Sequence, residues 1–210
     1  MEFSGFPVAA LDFYDDLELD NTKSFWAAHK PVWEESVRRP METLVSGLAE
    51  EFGPAKVFRP YRDVRFAKDK TPYKNHQGAF VAAGPSTGWY VEIGAPGVRV
   101  SVGLYRADGP TLAAFREAVA DGDSGPELAK LLRTLERKGW SLGGDQLKTT
   151  PRGYDAAHPR IDLLRHRSLT ASRSYGFEPF IHTPELADRV RRDWRDARGL
   201  VEWLRRATEY

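Results

Sequence analysis

Apolar positions recur at helical spacing along the first fifty residues. Val8, Leu11 and Tyr14 share one face and predict a helix over 7–18, with Pro7 in the first turn, where its missing N–H costs nothing. Asn21 is then placed to cap a second helix through Phe25, Trp26 and His29. Pro31 restarts or kinks the chain. A longer helical pattern follows, interrupted near Pro40, with Met41, Leu44, Val45, Leu48 and Phe52 on one stripe, and Gly53-Pro54 stops it.

Beyond this point the period changes to two. Over 57–66, Phe58, Pro60, Arg62, Val64 and Phe66 face one way and Val57, Arg59, Tyr61, Asp63 and Arg65 the other, which predicts a strand. Ala79–Ala83, Trp89–Gly94 and Val98–Tyr105 predict three more, joined by turn-rich links that favour antiparallel hairpins over crossovers. Helices return at 110–121, with Asp108 as cap and Pro110 at the start, and at 125–138. A loop rich in Gly and Thr (139–154) leads into a basic stretch, and Leu169–Tyr175 predicts one more strand. Thr183-Pro184-Glu185 opens one terminal helix with Leu186, Val190, Trp194, Val201 and Leu204 on its apolar stripe. These elements predict an α+β fold: a single antiparallel sheet of about 4–6 strands packed with N-terminal, central and C-terminal helices. At 210 residues the chain has the length of one domain, spanning 1–210.

Composition narrows the class. Apolar residues make up 41% and charged residues 29%, as in a globular chain, and no apolar run approaches the ~20 residues of a membrane span. The start, MEFSGFPVAALDF, has no basic region, so no signal peptide is expected. The absence of cysteine excludes disulfides, thiolate catalysis and Cys-bound zinc, and suits a cytoplasmic location. Net charge is +1 but uneven: residues 1–52 hold 11 acids against 4 bases, and residues 53–210 hold 27 bases against 19 acids. The plain reading is a helical region with a solvated acidic face. The sharper one is an acidic layer beside a basic one, which suits an anionic ligand better than broad binding to DNA.

The chemistry concentrates in Arg59–His76, RPYRDVRFAKDKTPYKNH, where six Arg or Lys side chains meet two Asp, with two Tyr and one Phe between them. Arg62 shares a strand face with Phe58 and Val64, and a charge buried there needs a partner. A bulge that brings Asp63 round, a distant acid such as Glu92, or a bound anion would each supply one. Asp63 lies between Arg59 and Arg65 on the other face, as in an ion-pair row, and that row is equally readable as self-satisfied structure. Pro72 disfavours helix for Thr71 before it, so the stretch is a loop from which Lys68, Lys70 and Lys74 fan.

This segment matches the pattern RxxRDxRFxxDKxxY through Arg59, Arg62, Asp63, Arg65, Phe66, Asp69, Lys70 and Tyr73, and so resembles the DUF2461 family of mostly bacterial proteins. Asn21 with Phe25-Trp26, and PRGY at 151–154 followed by His158-Pro159, resemble further segments of that family. The resemblance implies a shared fold and a shared polar cluster, and supplies no reaction.

Arginine forks and lysine ammoniums hold phosphate or carboxylate. Arg59, Arg62, Arg65, Lys68, Asp69, Lys70, Tyr73 and Lys74 are therefore the candidate ligand-binding residues of the first stretch, and Tyr61 and Tyr73 offer rings for stacking. Arg152 and Tyr154, with His158 and Arg160, are the candidates of the second. The leading reading is a protein that binds a phosphorylated or otherwise anionic small molecule, nucleotides included. The second is an enzyme acting on such a compound, with Asp63 or His158 in acid–base work. No P-loop, GxSxG or HExxH supports it, and no spacing names a metal site. The third is a basic docking surface for nucleic acid or a protein partner, which requires binding that falls steeply with salt. Neither a cofactor nor an oligomeric state can be read from the residues.

Overall fold

The first helix, α1 (Ala9–Leu19), buries Ala10, Leu11, Phe13, Tyr14 and Leu17, the face its spacing predicts. This is a computed structural model, and it describes residues 2–65 and 68–209. Helix α2 (Lys23–Trp33) is capped by Thr22, whose hydroxyl accepts the Phe25 N–H at 3.2 Å. Asn21 is not the cap, because its side chain is committed elsewhere. Pro31 stays inside the helix. A π-helical turn, Glu34–Arg38, then leads into α3 (Arg39–Ser46). The wider turn, closed by Arg39 N–H to Glu34 O, falls just before Pro40, which has no N–H to give to the preceding turn. The short helix α4 (Ala49–Phe52) ends at Gly53, whose φ of +98° is the left-handed geometry that favours glycine.

The alternation over 57–66 does not become a strand. Strand β1 is only Ala55–Val57, and beyond it Tyr61 makes an isolated bridge to Tyr73, while Phe66 lies outside the described residues. Pro60 offers no ladder donor, so the backbone closes a loop instead: Arg62 N–H bonds Pro72 O at 2.9 Å and Lys74 N–H bonds Pro60 O at 2.8 Å.

The remaining strands are β2 (His76–Gly84), β3 (Thr87–Gly94), β4 (Gly97–Leu104), β5 (Ser141–Gly143) and β6 (Leu169–Gly176). They form one six-stranded antiparallel sheet in the order β1-β2-β3-β4-β6-β5. Ala55 faces Val81 at one edge, and Ser141 faces Ser172 at the other. The edge strand β5 falls in the stretch whose composition reads as loop. Helices α5 (Gly109–Ala120) and α6 (Ser124–Arg137) follow the β4 hairpin arm, and Asp108 caps α5 by accepting the Thr111 N–H at 2.9 Å. A four-residue turn, α7 (Ile161–Leu164), precedes β6. The predicted terminal helix is two, α8 (Glu185–Asp196) and α9 (Arg198–Thr208), with Ala197 between them. All five residues of its predicted stripe are buried.

The chain divides into two compact units. The first takes the chain up to Val81, then Tyr90–Val100 and Ser174–Arg192. Its core holds Phe6, Tyr14, Trp26, Trp33, Met41 and Ile93. The second takes Ala82–Trp89, Ser101–Arg173 and the chain from Asp193, around Phe115, Leu128, Trp194 and Trp203. No helix among the described residues is long and apolar enough to cross a membrane.

Candidate functional site

The basic loop of the first unit is anchored by an amide. Asn21 Nδ2 donates to Tyr73 O at 3.0 Å, and Tyr73 N–H donates to Asn21 Oδ1 at 3.1 Å, so one side chain satisfies both backbone groups of Tyr73. The Tyr73 ring stacks on Trp26 with centroids 4.2 Å apart and planes 9° from parallel. Tyr73 is therefore buried structure, and Tyr61 is the ring left open. Asn21→Ala strands both backbone groups and should lower stability by roughly 1–3 kcal/mol in urea unfolding. A loss below ~0.5 kcal/mol would show that the clamp is dispensable.

Several cations of the loop are matched within it. Arg62 Nη1 pairs with Asp69 and donates to Thr71 Oγ1 at 2.5 Å, so neither Asp63 nor Glu92 is its acid. The Thr71 N–H, then Arg62 and the Thr71 hydroxyl, hold the Asp69 carboxyl down at about 2. Asp63 accepts two bonds from the Arg65 guanidinium, at 3.0 and 2.7 Å, and these also lower its pKa. That makes Asp63 a weak base and an orienter of Arg65. Lys70 Nζ donates to Val64 O at 2.9 Å, and Lys68 is exposed.

Arg59 and Lys74 are different. Lys74 Nζ donates to the Arg59 carbonyl at 3.0 Å and sits 5.2 Å from the Phe58 ring centroid. Burial, and after it the Arg59 charge, push its pKa down. Neither side chain closes an ion pair with a carboxylate among the described residues, and Asp63 feels the Arg59 charge only at longer range. Arg59 lines a groove of about 280 Å³ whose apolar walls are Trp26, Trp33, Phe58 and Tyr61. Two other cations on its rim are already paired, Lys30 with Glu34 at 3.6 Å and Arg38 with Glu42 at 2.8 Å. Trp26 Nε1 is buried without a hydrogen-bond partner among the described residues. An aromatic groove, one free guanidinium at its edge and a crowded lysine beside it can hold a planar molecule with an anionic group.

A second cleft of the same unit, about 240 Å³, is lined by His76, Glu92, Arg99 and Ser174 among others. Glu92 accepts from Tyr90 Oη at 2.7 Å and from Arg99 Nη2 at 2.7 Å, and His76 Nε2 stands 3.8 Å away. Burial first, then Lys74, Arg99 and Arg62, lower the His76 pKa against the opposing pull of Glu92. Tyr90 and Arg99 are absent from the candidates read in the sequence. The signal is available in principle: period two on β3 and β4 puts polar 90, 92 and 99 on the face opposite Val91, Ile93, Val98 and Val100.

The second basic stretch belongs to the second unit. Its Arg160 guanidinium donates to the carbonyls of Val119, Ala120 and Asp121 at 2.7, 2.9 and 2.8 Å, closing the C-terminus of α5. His158 Nδ1 accepts the Arg160 N–H at 3.1 Å. Tyr154 is half-buried, and burial raises its pKa, while Arg152 is exposed. Arg167 pairs with Asp145 and Arg173 with Asp193. Most of this stretch is thereby engaged in holding its own unit together.

Comparison with known proteins gives one match. The family model described as "conserved hypothetical protein (DUF2461)" matches residues 9–203. No curated protein and no solved structure matches.

Proposed function

The chain belongs to the DUF2461 family, and for it we propose the binding of an anionic small molecule with a planar ring, of nucleotide type, in the groove beside Arg59. One observation carries this reading: a half-buried Lys74 is crowded first by burial and then by the Arg59 charge, and neither side chain closes an ion pair with a carboxylate among the described residues, Asp63 feeling Arg59 only at longer range. Juxtaposed cations cost stability unless something negative joins them, which is the usual mark of a binding group rather than a structural one. The buried Trp26 and Trp33 close the apolar floor of the groove, and Tyr61, at 48% exposure, is the ring a ligand can cover. Lys70 and Lys68 add mobile positive charge on the same loop.

The reading predicts ligand-induced stabilisation. A nucleoside monophosphate at about 100 times its Kd should add ~2.7 kcal/mol, which for a chain of this size is a Tm rise of roughly 5–10 °C. A panel of phosphate-bearing compounds that leaves the Tm unchanged would defeat it.

A further inference from the structure

We propose that the cleft at the ends of β2, β3 and β4 is a separate site for a compact, doubly charged oxyanion, a sulfate or phosphate group, held by Arg99 and by His76 in its protonated form. The inference goes beyond the groove beside Arg59 and does not depend on it. Arg99 lines the cleft, is half exposed, and makes its ion pair with Glu92 through one nitrogen, Nη2. His76, also on the cleft wall, makes a long contact of its Nδ1 to Asn75 Oδ1 at 3.3 Å and, among the described residues, none within hydrogen-bond distance at Nε2. Ser174 also lines the cleft and brings a hydroxyl, which accepts the Gly176 N–H at 3.3 Å.

Glu92 does not fill the place of the anion. Its two oxygens are occupied by Tyr90 Oη and Arg99 Nη2, it is only 16% exposed, and at 3.8 Å it stands within ion-pair range of a protonated His76 but beyond hydrogen-bond distance of Nε2. The groups acting on His76 from each side are Glu92 on β3, Arg99 on β4, and Lys74 and Arg62 from the basic loop. Asn75, its neighbour, donates to Glu18 of α1 at 3.3 Å and so ties the cleft edge to that helix. Arg99 is matched by Glu92 and Arg62 by Asp69, so protonation of His76 is what adds positive charge to the cleft. An oxyanion between Arg99 and His76 favours the protonated ring, so binding takes up a proton and tightens as pH falls.

The test uses sulfate, whose charge does not change between pH 5.5 and 8. The imidazole Cε1–H resonance of His76, assigned by its loss in His76→Gln, is titrated with and without sulfate. Sulfate should raise the pKa of His76 and bind on the order of tenfold more tightly at pH 5.5 than at pH 7.5. His76→Gln should flatten that pH dependence while keeping weak binding through Arg99. Arg99→Gln should weaken sulfate on the order of tenfold at every pH. Arg59→Ala should leave the His76 response intact, which separates this site from the groove. Inorganic phosphate and a methyl phosphate ester, run alongside, assign the group to a free ion or to the end of a larger molecule by which binds more tightly. A His76 resonance indifferent to sulfate, or an unchanged pH slope in His76→Gln, would overturn the proposal.

Discussion

Asp193→Ala is expected to lower the stability by about 3–5 kcal/mol, read from urea unfolding at pH 7. The Asp193 side chain is 2% exposed and accepts from Arg173 Nη1 at 2.7 Å. Arg173 in turn reaches the Lys138 carbonyl and lies 5.2 Å from the Trp140 ring centroid, so it cannot swing out to water without giving up both contacts. Removing the carboxylate leaves a largely buried guanidinium without its counter-charge, and its desolvation is then uncompensated. Lys138–Asp196 serves as the internal control: at the same 2.7 Å, but with side chains 46% and 34% exposed, its loss in Asp196→Ala should cost no more than ~1 kcal/mol. Equal effects of the two substitutions would mean that burial does not set the worth of these pairs.

Arg59→Ala combined with Lys74→Ala should do the reverse, leaving the fold nearly untouched and removing the ligand. Two charge-assisted hydrogen bonds at roughly 1.5–3 kcal/mol each correspond to a loss of nucleotide affinity of about 10²–10⁴-fold. Stability should fall by no more than ~1 kcal/mol, since Arg59 gives up no ion pair and the lost Lys74 bond to the Arg59 carbonyl is offset in part by relief of its burial and of the Arg59 repulsion. Arg62→Ala separates the two kinds of cation. It breaks the node with Asp69 and Thr71 that shapes the loop, so its effect belongs to folding. A double variant that binds as tightly as the parent would move the site away from this groove.

The helices and hairpins are legible in the chain because they rest on local periodicity and on caps. Asp108 and the alternation of Val98, Val100 and Val102 act within a few residues of where they are read. The stretch over 57–66 is not legible in the same way. Its alternation is that of a strand, but Pro60 removes a ladder donor, and the charged side chains find partners only once the loop has reversed, Arg62 on Asp69 and Lys74 on the Arg59 carbonyl. Asn21 likewise reads as a helix cap because capping is local, whereas its partner Tyr73 is 52 residues away.

The candidate site divides along the same line. Sequence picks out a cluster rich in cations and cannot say which of them are cancelled. Folding pairs Arg62 and Arg65 with acids seven and two residues away and brings Arg59 and Lys74 together across 15 residues without one. The face carrying Tyr90, Glu92 and Arg99 is written in a period-two pattern, but the polar partners sit on different strands, so no single segment looks like a motif.

Isothermal titration of a nucleoside monophosphate and of its parent nucleoside into the wild-type protein, at low salt and pH 7.5, tests the free cation pair most directly. The nucleotide should saturate one site, with the nucleoside at least about tenfold weaker because it lacks the group that Arg59 and Lys74 would hold. Equal affinity for the two, or no heat from either, would contradict the claim that this groove is built around a missing negative charge.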